Sequence, residues 1–86
     1  MQFMVEGVLK HAHTDETRAL IAPEIAHGKE LEAEGVREML FVAADFSRAW
    51  QIYNLDSPGA VQQVLATFPL HPYVDYTITP LANALP

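Results

Sequence analysis

Met39-Leu40-Phe41-Val42-Ala43-Ala44-Asp45-Phe46-Ser47-Arg48-Ala49-Trp50-Gln51-Ile52-Tyr53-Asn54-Leu55 decides the fold. The apolar run Met39–Ala44 suits a strand and is too short for a helix. Asp45-Phe46-Ser47 has turn chemistry, and Arg48–Leu55 resumes with the bulky residues Trp50, Ile52 and Tyr53. Two such runs around a short turn predict a β-hairpin. Working outward, each side of the hairpin carries one helical segment and one more strand. Downstream, Ser57 caps a helix with Pro58 at its first position, where a missing N–H costs nothing. Val61, Val64, Leu65 and Phe68 then recur at helical spacing as a single stripe. Pro69-Leu70-His71-Pro72 reads as a stiff extended connection into a last strand, Tyr73–Thr79, stopped by Pro80.

Upstream, residues 2–10 alternate, with Phe3, Val5, Gly7 and Leu9 on one face, which predicts a half-buried strand. Thr14 is placed to cap a helix, with Asp15 and Glu16 at the positive end of its dipole. That helix is expected to run to Glu34 and to end at Gly35 in a left-handed conformation, kinked or restarted at Pro23. The order β-α-β-β-α-β predicts an α+β, ferredoxin-like domain over residues 1–86. Right-handed crossovers put both helices on one face of a four-stranded antiparallel sheet. No internal repeat or low-complexity segment interrupts it.

Composition bounds the partners. The 86 residues are 50% hydrophobic and carry a formal net charge of −6. A short chain with so much apolar surface and one uncovered sheet face is expected to self-associate. The acidic balance argues against a phosphate backbone or an anionic membrane surface. No apolar run approaches the ~20 residues that span a bilayer, and the N-terminus does not read as a signal peptide. The chain has no cysteine, which removes disulfides, thiolate metal sites and a cysteine nucleophile. A cytoplasmic location is the simplest expectation.

Phe68-Pro69-Leu70-His71-Pro72-Tyr73-Val74-Asp75, closing in Thr79-Pro80-Leu81, resembles the ending of muconolactone isomerase-like proteins. From Glu34-Gly35 to Leu81 the chain can be laid on that family without a gap. The resemblance implies a dimeric α+β barrel, often assembled further into rings. It implies a cofactor-free isomerase that shifts a proton and a double bond in an unsaturated lactone during aromatic degradation. The family's general acid/base, a glutamate on the first helix, falls on Glu24. Typical members carry a Trp-Arg-His-Leu-Trp-Arg-like run after the Glu-Gly pair. Here that run is Arg37-Glu38-Met39-Leu40-Phe41-Val42, so the arginines expected to hold a substrate carboxylate are missing or displaced.

Glu24 also stands out on a helical wheel of ~100° per residue. It lies within the apolar arc of Leu20, Ile21, Ile25, Gly28 and Leu31, where a carboxylate costs several kcal/mol unless paired or protonated. It is either a base tuned upward by burial or a glutamate paired with a core Tyr or His. His27, one turn later, either shares the proton or sits at the solvent edge. Arg48 is the remaining anion clamp, or else the cross-strand partner of an acid. Trp50, Tyr53, Tyr73 and Tyr76 supply pocket walls and phenolic donors, or core and interface. His71, held between prolines, is a pocket-wall or loop residue. His11 and His13 share a side if the strand continues, but a metal would need a third ligand, and no metal site is expected. Besides the isomerase, a cyclase, dehydratase or cofactor-free oxygenase remains open, as does a non-catalytic ligand-binding or assembly protein of the same fold.

Overall fold

The computed structural model describes residues 1–82. Its elements are β1 (Gln2–Leu9), α1 (Asp15–Ala19), α2 (Ile21–Ala33), β2 (Arg37–Val42), β3 (Arg48–Asn54), α3 (Pro58–Leu65) and β4 (Val74–Pro80). The strands form one antiparallel sheet in the order β2-β3-β1-β4. Phe3 and Val5 of β1, Tyr53 of β3, Leu31 of α2, and Val61 and Leu65 of α3 make one core, closed by Phe68. Both long helices therefore pack on the same sheet face. Full burial of aliphatic side chains such as Val61 and Leu65 contributes about 1.5–3 kcal/mol each.

Two local expectations are corrected. The restart expected at Pro23 comes earlier: Pro23 lacks the N–H that a continuous helix needs, and the segment from Thr14 to Glu34 is two helices. The chain breaks at Leu20 and restarts at Ile21, which puts Pro23 in the first turn of α2, where that N–H is not required. Thr14 caps α1 as expected, with the buried Thr17 as its reciprocal partner. The connection before β4 is folded, not extended. Phe68 O accepts from His71 N at 3.0 Å and Leu70 O from Tyr73 N at 2.9 Å, and His71–Tyr73 forms a 3-10 turn. Tyr73 thus precedes the last strand instead of opening it. Pro80 is the strand's last residue; β4 is an edge, where a missing N–H is tolerated.

The hairpin turn is built as its residues suggest. The Asp45 carboxylate accepts from Ser47 N at 3.0 Å and Ser47 Oγ at 2.7 Å, and Phe46 adopts φ 61°. These two bonds hold the exposed Asp45 carboxyl below its ordinary pKa. Gly35, at φ 76°, ends α2 in the left-handed conformation. At the other end of the hairpin, β2 carries a bulge. Arg37 pairs with Tyr53 but Met39 pairs with Ile52, so Glu38 is an extra residue in the ladder. Plain alternation from Leu40 would send Arg37 away from the helices. The bulge turns it toward them.

Candidate active site

The N-terminal half of α2 stands over a part of the sheet that the core residues do not fill. A cleft of about 300 Å³ lies there, within the range of small-ligand sites. Its floor includes Gly7 and Leu9 of β1, Ala49 and Gln51 of β3, and Val74 and Tyr76 of β4. Gly7 makes room: a Cβ there would sit 3.1 Å from Val74 Cγ1 and 3.2 Å from Tyr76 Cε1. Ile21, Glu24 and Ile25 of α2 form a wall, and Leu40, Val42 and Phe46 a largely apolar rim.

Glu24 is half-buried in this wall. Its Oε1 accepts from Leu70 N at 2.9 Å, a bond that exists because the folded turn after Phe68 aims that N–H back at α2. No buried side-chain polar atom of the described residues lacks a partner, so Oε2, which accepts no hydrogen bond, keeps contact with solvent. Burial raises the carboxyl above its ordinary pKa of 4.5, opposed by the Leu70 bond and by the positive fields of Arg37 and His27. Tyr76 lies on the opposite floor. Burial, the nearby Glu24 charge and Tyr53 push its phenol well above 10, so it remains a proton donor.

Beneath them runs a polar ladder that sequence reading missed. Arg37, 7% exposed, donates through Nε and Nη2 to Glu32 Oε1 at 3.2 and 2.8 Å. Its Nη1 donates to Gln51 Oε1 at 3.2 Å, and the Tyr53 hydroxyl donates to the same oxygen at 2.6 Å. Gly28 admits the guanidinium, since a Cβ there would fall 2.7 Å from Arg37 Cζ. The Tyr53 phenol is pushed far up by burial, with the Arg37 charge opposing. The one sequence signal for this ladder is the glycine inside the apolar arc of α2, opposite a long side chain entering the sheet.

The other residues singled out from sequence are dispersed. His27 leaves the cleft for the segment that follows α3: its ring bonds Thr67 Oγ1 at 2.6 Å and stands edge-on to Phe68 at 4.9 Å. Arg48 borders the cleft through the hairpin, but its guanidinium donates to Glu6 Oε2 at 3.1 Å on the opposite sheet face. Trp50 Nε1 donates to that same oxygen at 3.0 Å. Tyr53 takes part through Gln51. Tyr73 donates to Glu16 Oε1 at 2.8 Å on the surface, a bond that raises its own pKa. His71 stacks on Tyr76 at 5.8 Å and so backs the cleft floor. His11 Nδ1 donates to Ala12 O and His13 bonds Thr17 Oγ1. Among the described residues no three His, Asp or Glu side chains gather as a metal site. No helix among them is long and apolar enough to cross a membrane.

A crystal structure of muconolactone isomerase has a similar fold, with a TM-score of 0.82 at 24% identity, covering 98% of this chain and 91% of that one. A 5-chloro-2-hydroxyhydroquinone dehydrochlorinase from Burkholderia phenoliruptrix AC1100, solved with 2,5-dihydroxybenzoquinone, follows at a TM-score of 0.69 and 12% identity. That match covers 98% of this chain and 96% of the other. At these identities the likeness is one of fold. No curated protein matches the sequence significantly. The family model described as muconolactone delta-isomerase matches residues 1–84, and on that near-complete span the chain belongs to the muconolactone delta-isomerase family.

Proposed function

We propose that this protein is a cofactor-free isomerase that moves a proton along a small, unsaturated, enolisable compound such as a lactone, with Glu24 as general acid and base. The observation that carries this reading is the Glu24 carboxylate: half-buried, held through one oxygen by Leu70 N–H, its other oxygen open. Oε2 takes a proton from the carbon next to a carbonyl, leaving a conjugated enolate. The same oxygen returns the proton at the far end of the system. Atoms and electrons balance within the substrate, so the step needs no co-reactant. A carboxyl raised by burial is a stronger base than an exposed one. Tyr76 supplies a phenolic donor, and the Arg37 field favours the developing negative charge.

An elimination is the second reading, favoured by the dehydrochlorinase of the same fold. A base over an enolisable carbon serves either outcome, and the leaving group decides. We also propose that the enzyme works as a homodimer or larger ring. Turnover of an unsaturated lactone in deuterium oxide tests the chemistry. Because Oε2 keeps solvent contact, the captured proton exchanges with solvent before it is returned, so deuterium should enter the product at the relocated position, and Glu24→Gln should cut that incorporation about 10²–10⁴-fold. Deuterium entering at the wild-type rate in the variant would remove Glu24 from the mechanism.

A further inference from the structure

We infer that the Gln51 side-chain amide is the donor that reads the substrate's carbonyl oxygen, and that the substrate class is uncharged, a neutral enolisable lactone or enone. This rests on the reading of the cleft as a substrate site.

The orientation of Gln51 follows from its neighbours. A guanidinium can only donate, so the Gln51 atom 3.2 Å from Arg37 Nη1 is the amide oxygen. The Tyr53 hydroxyl donates to that oxygen as well, at 2.6 Å. Both contacts fix the side chain and leave Nε2 pointing away from the ladder. The residue is 8% exposed, and its Nε2 has no hydrogen-bond partner among the described residues. A partnerless nitrogen here must keep solvent contact, because no fully buried polar atom is left unpaired. The solvent beside Gln51 is that of the cleft, whose floor it lines. A nearly desolvated N–H donor in the floor and the Glu24 carboxylate in the wall thus border one cleft. That geometry fits an oxygen acceptor gaining charge as the proton leaves.

The charge of the site selects against an anion. Arg37 is the cation buried beside the cleft, and Glu32 already occupies its Nε and Nη2 at 2.8–3.2 Å. The backbone at Gly28 closes in on the guanidinium. A substrate carboxylate would have to displace Glu32 and enter beside a second carboxylate, Glu24. Lys29 and Arg48 are exposed at the cleft edge, where water screens their attraction, and Arg48 is already paired with Glu6. A neutral carbonyl meets none of these penalties and finds the amide waiting.

A matched pair of probes separates the classes: an unsaturated γ-lactone bearing a carboxymethyl group, and its methyl ester. The ester should bind at least about tenfold more tightly than the acid. It should also shift the side-chain amide resonances of Gln51 in the wild-type protein. Gln51→Glu keeps an acceptor for Arg37 and Tyr53 but replaces the donor with a carboxylate oxygen. Ester affinity should fall at least about tenfold in that variant with the thermal midpoint retained; if the midpoint falls, the wild-type amide shift decides. An acid that binds as well as the ester, amide resonances unmoved at saturation, or no ester binding at millimolar concentration overturns the inference. Binding is read here without turnover. A failed deuterium experiment with intact ester selectivity sinks the isomerase reading alone, and acid selectivity with intact deuterium incorporation sinks this inference alone.

Discussion

The two faces of the sheet are made by alternate residues of the same strands, yet they have opposite characters. On β3, Ala49, Gln51 and Tyr53 face the helices, while Arg48, Trp50 and Ile52 face away. The covered face keeps its polar groups linked in one ladder: Glu32 to Arg37, to Gln51, to Tyr53. The uncovered face ties Arg48 and Trp50 to Glu6 and leaves Met39 and Phe41 exposed. Burial makes the difference. Under the helices a carboxylate is half-desolvated and chemically tuned; on the open face a carboxylate organises the surface.

The largest contrast should come from two glutamates. Glu24→Gln removes the proton acceptor while the amide oxygen can still accept from Leu70, so turnover should drop about 10²–10⁴-fold. Glu6→Gln, on the other face, should leave the turnover of each folded site within a few-fold of wild type. Steady-state kinetics on the pair decides it, and equal losses would erase the distinction between the faces.

Next in size is assembly. The apolar open face predicts that Phe41→Glu, which puts charge where a second copy would pack, lowers the particle mass toward the 9.6 kDa protomer. Light scattering reads this directly, and a wild-type protein already at that mass would show that nothing covers the face.

The legibility of the chain divides along the same line. Period-two alternation in β1 revealed the buried side, Phe3 and Val5, and the caps Thr14 and Ser57 and the terminator Gly35 were readable because each is a local backbone demand. Glu24 was readable because a charge in an apolar arc is an anomaly on a wheel. Arg37 was not, since alternation is counted through regular strands and a bulge at Glu38 breaks the count. Trp50 and Arg48 invited a pocket role by residue type, but their parity on β3 sends both side chains to Glu6. Gln51 gave no signal at all: its orientation depends on Arg37 and Tyr53, which only the folded sheet brings to it.

A smaller effect tests the fit of the ladder. Gly28→Ala forces a methyl group into the Arg37 guanidinium, and the neighbouring Gln51 and Glu32 bonds leave it little room to retreat. Overpacking of this kind should cost about 1–3 kcal/mol in denaturant unfolding. A variant of wild-type stability would mean that the arginine moves freely.

The smallest effect is a pH dependence. The folded-state pKa of Glu24 lies above its ordinary 4.5, so folding favours the protonated form. Its ionisation therefore removes stability as pH rises from 4.5 through the folded value, and the penalty stays at higher pH. Glu24→Gln should then raise the thermal midpoint at neutral pH, an advantage that disappears below pH 4.5. A midpoint that falls at neutral pH would mean that pairing, not desolvation, dominates this carboxylate.

The bulge at Glu38 makes the location of the cleft's cation a matter of counting. Paired in plain alternation from Leu40, with no residue left over, the same sequence would carry the guanidinium to the far side of the sheet. No side chain near the cleft need change for that to happen. Whether this cleft holds a buried positive charge is decided by strand register and not by the residues of its wall.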